Sequence, residues 1–342
     1  MTKTTFFDYT IGVVGAGSWG TTLAHLFAEK GFPVTLWVYE KELFTMLSSK
    51  KCNTFYLPDI ELNAALNFTQ DIKDAVSSKN IVLWVTPVKF FGKLFMEGLP
   101  FFSPETIHIS ASKGIETETL LTVSQIAEAK LKDVKDQKFA VLSGPSFAQE
   151  VSKKTPTAVV IASKDIQSAV IAQKALATPY FRTYTSDDIL GVEIGGALKN
   201  VIAVASGIVD GLGLGKNTQA ALITRGLAEI MRLGSIMGAS PLTFSGLSGI
   251  GDLLLTCTST MSRNYHVGRE IGRGRTLEEI LVTMKTVAEG VYTSKAAFAL
   301  SLKHAIEMPI IQEIHRILFE GKQPLLAVKD LMSRALKQEV SL

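Results

Sequence analysis

Lys199 lies in the stretch DDILGVEIGGALKNVIAVASGIVDGLG, one turn after Gly195, Gly196 and Ala197, with Asn200 beside it. A glycine costs a helix interior roughly 1 kcal/mol relative to alanine, so two in succession imply that something approaches this face closely. An ammonium on such a crowded, partly apolar face loses hydration and its pKa falls, which makes Lys199 a candidate acid/base. The segment SGLSGIGDLLLTCTSTMSRNYHVGRE supplies a counterpart. Asp252, near a helix start, and Thr256, four residues on, share one face. Arg263 and Asn264 follow, and a guanidinium fork suits phosphate. An Asp at a helix start is equally a cap, and Arg263 equally a surface ion pair; spacing alone does not choose.

Further candidates follow short apolar runs. In an open parallel sheet, ligands bind beyond the carboxyl ends of the strands, which selects three loops: TPVKFF after IVLWV, SASKGIE after TIHI, and SGPSFAQE after FAVL. Lys113, in the second, is either an ordinary solvated lysine or a ligand-facing one. Gly144, Pro145, Ser146 and Ala148, in the third, form a compact turn that is either ordinary or offers backbone N–H groups to an oxygen-rich ligand.

The elements that must position these residues begin with YTIGVVGAGSWGTTLAHLFAEKG. Gly15, Gly17 and Gly20 stand between a strand and a helix, in the order that gives a tight turn, a close backbone approach to a pyrophosphate, and helix–strand contact. The free N–H groups and the helix dipole favour an anion there, so a dinucleotide is expected. Glu40, with Tyr39 beside it, closes the next strand and is the candidate reader of the adenosine ribose. An acid there favours NAD, while Lys41 and Lys51 are near enough in sequence to compensate a 2′-phosphate. The choice between NAD and NADP stays open.

The runs TIGVV, PVTLWV, NIVLWV, TIHIS, FAVLS and TAVVIA alternate with amphipathic stretches, predicting a Rossmann-like, mostly parallel sheet with helices on its faces. From Ile189 onward the pattern is helical, and Asp187 or Asp188 is placed to cap the first long helix. The expected organisation is α/β: a dinucleotide-binding domain over 1–188, then an all-α domain over 189–342 for substrate and catalysis.

Composition excludes several classes. A net charge of +3 over 342 residues, with Lys and Arg dispersed, gives no footprint for nucleic acid. Cys52 and Cys257 lack metal or disulfide spacing, and the five histidines show no ligand pattern, so no metal and a reducing, cytoplasmic setting are expected. No G-x-S-x-G elbow indicates a hydrolase. No uninterrupted apolar run reaches the roughly 20 residues of a membrane span, because Asp210 and glycines cut the longest one. The start MTKTTFFDYT does not read as a secretory leader, and the ending VSL departs from a peroxisomal tail. The apolar helical half is compatible with a homodimer.

Taken together, GVVGAGSWGTTLA, SASKGIE, LSGPSFAQEV, EIGGALKNVIAVASGIVDGLGLGKNTQAALITRGLAEI, GLSGIGDLLLTCTSTMSRN and VAEGVYT resemble NAD(P)-dependent glycerol-3-phosphate dehydrogenase in its bacterial form, in order and over nearly the whole chain. The resemblance implies hydride transfer between dihydroxyacetone phosphate and sn-glycerol 3-phosphate, feeding glycerophospholipid synthesis. It also implies cofactor contacts at Ser18, Trp19, Tyr39, Ala148, Val287 and Glu289, a role for Lys113 shared between cofactor and substrate, and Lys199 as the proton-transferring group. Substrate positions are implied at Gly144, Ser146, Asp252, Ser262, Arg263 and Asn264, with Arg263 also near the cofactor. Bacterial members often carry a basic residue or His where Tyr39 stands, so the resemblance leaves NAD against NADP unresolved. The rival readings are a β-hydroxyacid or 6-phosphogluconate-type dehydrogenase, in which lysine and asparagine stand a turn apart rather than adjacent, and a non-catalytic nucleotide-sensing protein.

Overall fold

The computed structural model describes residues 9–131, 138–284, 287–336 and 338–339; most of the MTKTTFFDYT start and the VSL ending lie outside the described residues. The first half is an eight-stranded sheet in the order β10-β9-β8-β7-β6-β1-β2-β5, beside a two-stranded hairpin β3-β4. The strands are β1 (Ile11–Val14), β2 (Val34–Trp37), β3 (Cys52–Asn53), β4 (Leu57–Glu61), β5 (Asn67–Thr69), β6 (Ile81–Trp84), β7 (Ile107–Ser110), β8 (Lys138–Ser143), β9 (Thr157–Ala162) and β10 (Phe181–Ser186). All neighbours in the large sheet run parallel except β8 and β9. Its helices are α1 (Ser18–Glu29), α2 (Lys41–Lys50), α3 (Ile72–Val76), α4 (Val88–Gly98), α5 (Val123–Lys130), α6 (Ala148–Ser152) and α7 (Ile166–Leu176).

The central strands β1, β6 and β7 are buried on both faces, which is why their sequences are continuous apolar runs. Their register aligns Val14 with Trp37 and Trp84, and Trp84 with Ser110, while Ser110 pairs with Val141 of β8. The loops after β1, β6, β7 and β8 therefore open on one edge of the sheet. That edge carries the glycine loop, Lys113 and Gly144.

Six of the ten strands coincide with the apolar runs of the sequence. The hairpin β3-β4, the three-residue edge strand β5 and the edge strand β10 are additional. β10 buries Phe181 and Thr183 while Arg182 and Tyr184 face solvent, a period-two pattern too polar to stand out as a run.

From Ile189 onward the described residues form helices and turns without a strand: α8 (Ile189–Gly211), α9 (Gly215–Ile236), α10 (Asp252–Thr258), α11 (Arg263–Gly272), α12 (Leu277–Thr283), α13 (Glu289–Lys303), α14 (Pro309–Phe319) and α15 (Pro324–Met332). Asp188, rather than Asp187, caps α8, its Oδ1 accepting from Gly191 N at 2.9 Å. α9, α10, α11 and α13 surround α8, which is apolar on nearly every side for that reason. Against the expectation that Asp210 and glycines cut its apolar run short of a membrane span, α8 is long and apolar enough to cross a membrane by length and composition. Its apolar window is wholly enclosed by neighbouring helices, as in a core helix.

Candidate active site

Gly15, Gly17 and Gly20 take up the conformation the sequence expects. Gly15 has φ +114°, and a Cβ on Gly20 would fall 1.9 Å from Gly15 O, so strand and helix meet with no room for a side chain. Above Gly17 a Cβ would meet nothing within 4 Å. Among the described residues, no side chain caps the first N–H groups of α1, which starts there, and the buried Thr86 hydroxyl in the adjacent loop has no hydrogen-bond partner. Open space, free donors and an unsatisfied hydroxyl fit a dinucleotide pyrophosphate. Ser18 and Trp19 open α1, and Ala148 opens α6, whose first carbonyl accepts from Thr22 Oγ1 at 3.3 Å.

Farther along the same edge, three side chains from separate parts of the chain converge. Asp252 is 1% exposed, and its Oδ1 lies 2.5 Å from Lys199 Nζ while Oδ2 lies 2.7 Å from Lys113 Nζ. Lys199 also donates to Thr256 Oγ1 at 2.8 Å, and that hydroxyl donates to the Asp252 carbonyl at 2.6 Å. Lys113 donates in addition to Gly144 O at 3.0 Å. The glycine pair makes this possible. A Cβ on Gly195 would fall 2.6 Å from Ser248 O, in the turn leading into Asp252, and one on Gly196 would fall 2.7 Å from Ser143 Oγ and 3.6 Å from the Lys113 chain.

Burial lowers the Lys199 pKa to about 8, with the Asp252 charge opposing and the Lys113 charge reinforcing the fall. Burial by itself would raise Asp252, but the charges of Lys113 and Lys199 together outweigh it and hold the carboxyl below its usual range. The cluster is thus one carboxylate between two ammonium groups, a net positive site able to donate a proton. Cys257 stands next to it in sequence, and burial pushes its thiol up, away from the nucleophilic thiolate.

A chain of amides ties the halves together. Asn200 Nδ2 donates to Lys113 O at 3.4 Å, Asn264 Nδ2 donates to Asn200 Oδ1 at 2.9 Å, and Gly290 N donates to Asn264 Oδ1 at 2.9 Å. Ser262 caps α11, its Oγ accepting from Tyr265 N at 3.2 Å. Ser146 Oγ donates to Gly144 O at 2.9 Å.

Glu289, at the start of α13, accepts from Val88 N at 3.2 Å and so bridges to the first residue of α4. Burial raises its pKa to about 7 despite that N–H and the Arg263 charge. Arg263 keeps contact with solvent yet stands among crowded protein atoms; burial lowers its pKa and Glu289 opposes. Among the described residues Arg263 makes no hydrogen bond or ion pair, which leaves its fork free. Val287 is exposed beside Glu289, and Tyr39 is 76% exposed two residues beyond β2, its ring centre 6.0 Å from that of Trp37.

The family model of the NAD-dependent glycerol-3-phosphate dehydrogenase N-terminus matches residues 10–169, and that of its C-terminus matches residues 188–329. The chain belongs to this family. The glycerol-3-phosphate dehydrogenase [NAD(P)+] of Geobacter metallireducens is 51% identical over 329 residues, 96% of this chain and 98% of that one. That of Syntrophobacter fumaroxidans is 48% identical over 332 residues, 97% and 98% of the two chains. The crystal structure of glycerol-3-phosphate dehydrogenase from Coxiella burnetii superposes with a TM-score of 0.92 at 39% identity, covering 96% of this chain and all of that one.

Within this glycerol-3-phosphate dehydrogenase fold, two contributors escape a reading of the sequence. Glu193, buried on α8, accepts from Ser124 N at 2.8 Å and from Ser124 Oγ at 2.5 Å, so it clamps the start of α5 and with it the loop carrying Lys113. An acid amid the apolar residues of α8 was the available signal. Ser143 ends β8 with a buried hydroxyl that has no hydrogen-bond partner among the described residues, next to Gly196. Nothing in FAVLS distinguishes it.

Proposed function

We propose that this chain is a glycerol-3-phosphate dehydrogenase that interconverts dihydroxyacetone phosphate and sn-glycerol 3-phosphate, supplying glycerophospholipid synthesis, with Lys199 moving the proton. The observation that carries this reading is the buried Asp252 carboxylate held by Lys113 from the sheet half and Lys199 from the helical half. NAD(H) or NADP(H), when bound on the loop Gly15–Gly20, supplies or accepts the hydride.

In the direction of reduction, Lys199 Nζ gives a proton to the ketone oxygen as the C=O π pair becomes the new O–H bond. In oxidation, neutral Lys199 takes that proton back. Lys113 adds positive charge where the alkoxide develops, and Asp252 orients both amines. Thr256 fixes the Lys199 nitrogen from a second side. The free fork of Arg263 is assigned to the substrate phosphate. Asn200, Asn264 and Ser262 are assigned to the substrate side and also hold Lys113, Arg263 and Glu289 in place through their bonds to Lys113 O, to one another, to Gly290 N and to Tyr265 N. Gly144 and Ser146 shape the wall next to Lys113, while Ser18, Trp19, Ala148, Val287 and Glu289 are assigned to the cofactor side.

The proposed division is 1–188 for the cofactor and 189–342 for substrate and catalysis, with Lys113 as the contribution of the first domain to the second. A cytoplasmic location and a homodimer through the helical half are part of the same proposal, the latter supported by exposed Leu242 and Met332. The test is consumption of NADH or NADPH, followed by absorbance, with dihydroxyacetone phosphate as substrate and sn-glycerol 3-phosphate measured as product. A protein that binds nucleotide and consumes none overturns the reading.

A further inference from the structure

Asn53, in the hairpin that no apolar run announced, is wholly buried. Its Nδ2 donates to Ala16 O at 2.9 Å and to Thr21 Oγ1 at 2.8 Å, in the glycine loop and the first turn of α1. Its Oδ1 accepts from Tyr56 N at 3.1 Å, and Tyr56 Oη donates to Glu40 Oε1 at 2.9 Å. A strap of hydrogen bonds thus runs from the loop assigned to the pyrophosphate, through β3-β4, to the carboxylate just beyond β2. Burial and the Glu40 charge push the Tyr56 hydroxyl up to about 12, so it remains a donor at working pH.

Two consequences follow for whatever lies between the loop and Glu40. The second carboxylate oxygen, Oε2, has no hydrogen-bond partner among the described residues and can accept from a ribose hydroxyl. Of the cations that the sequence offers as counter-charges, Lys51 is already engaged, its Nζ donating to Leu66 O at 2.7 Å and lying 4.6 Å from the Phe68 ring centre, which leaves the exposed Lys41 alone to face the fixed Glu40 carboxylate. A 2′-phosphate would bring further negative charge against a fixed carboxylate and remove the hydroxyl donor.

We propose that the Asn53–Tyr56 strap fixes Glu40 as the reader of the adenosine ribose, so that this chain selects NAD(H) over NADP(H), with Tyr56 as a specificity-determining positioning residue. The inference rests on the glycine loop being the cofactor site.

The test is calorimetric titration of the ligand-free protein with NADH and NADPH, and with 5′-AMP and 2′,5′-ADP, which carry the adenosine end alone. The wild type is expected to bind NADH about 10- to 100-fold more tightly than NADPH, with the same order for the two adenosine ligands. Glu40→Gln should shrink that ratio to about threefold or less. Tyr56→Phe should shrink it by about threefold or more, with an unchanged melting temperature and an unchanged KM for dihydroxyacetone phosphate, which loss of fold would not leave intact. Equal or tighter NADPH binding by the wild type overturns the selection of NAD(H). A ratio unmoved by Tyr56→Phe overturns the strap. A wild type that binds neither dinucleotide overturns the cofactor site itself, a failure distinct from the other two.

Discussion

The glycine loop and the lysine–aspartate cluster lie on the same edge of one sheet but are built in opposite ways. The loop is contiguous: Gly15, Gly17 and Gly20 fall within six residues, and their roles follow from backbone geometry that a strand–turn–helix imposes locally. The cluster is assembled from three remote places, Lys113 after β7, Lys199 inside α8 and Asp252 at the head of α10. Its chemistry depends on burial, which no local segment can guarantee. Local construction makes a site readable and tolerant of change elsewhere; remote construction makes it sensitive to the packing of both halves.

If that contrast is right, the two regions can be damaged separately. Lys199→Ala should lower kcat by on the order of 10⁴-fold, combining the loss of the proton donor and of positive charge at the developing oxyanion. Nucleotide affinity, read by calorimetry, should stay within about twofold. A comparable loss in both would mean that the cluster and the loop are not separable.

Arg263→Ala sharpens the assignment of the substrate end. It should raise KM for dihydroxyacetone phosphate by about 100-fold, the scale of a charge-assisted bond to an anion, and have a much smaller effect on dihydroxyacetone itself. Equal penalties for the two ketones would remove Arg263 from the phosphate.

The complementary experiment damages the loop. In Gly20→Val the new side chain strikes Gly15 O, and NADH binding should weaken by about 10- to 100-fold, the equivalent of a one- to three-kcal/mol overpacking cost. The pKa of the catalytic amine, read from the pH profile at saturating nucleotide, should not move.

The smallest effect is the pH dependence itself. Because burial sets the Lys199 pKa to about 8, the ammonium needed for reduction is present below that pH and lost above it. Reduction of the ketone should therefore fall as pH rises through about 8, and oxidation of the alcohol should rise over the same interval, each by at most tenfold per pH unit. Profiles for the two directions that bend the same way would contradict Lys199 as the shared proton carrier.

The α/β order, the six apolar strands β1, β2, β6, β7, β8 and β9, the helix-rich second half and the capping aspartate before α8 were all legible, because hydrophobic period and cap chemistry are local properties. The pair Gly195–Gly196 was read as a close approach, and the structure places the turn before Asp252 and the Lys113 chain against it. Other features escaped. Glu40 was visible as a strand-end acid, but not Asn53 and Tyr56, which hold it through a short hairpin with no apolar run. Glu193 looked like a lone acid in an apolar helix until α5 was seen resting on it. Asp210 was read as cutting the apolar run of α8, and at the helix end its charge is met by an ion pair with Arg269 at 3.1 Å.

By itself the sequence determined where a dinucleotide loop, a set of loops at strand ends and a glycine-marked helix must occur, because each depends on residues that are neighbours along the chain. Only the tertiary structure decided that Lys113 and Lys199 share one carboxylate, that Asp252 stays ionised between them, and that Arg263 keeps its fork free. Those outcomes depend on distances between segments more than fifty residues apart and on the exclusion of water by walls that exist only once both halves are packed.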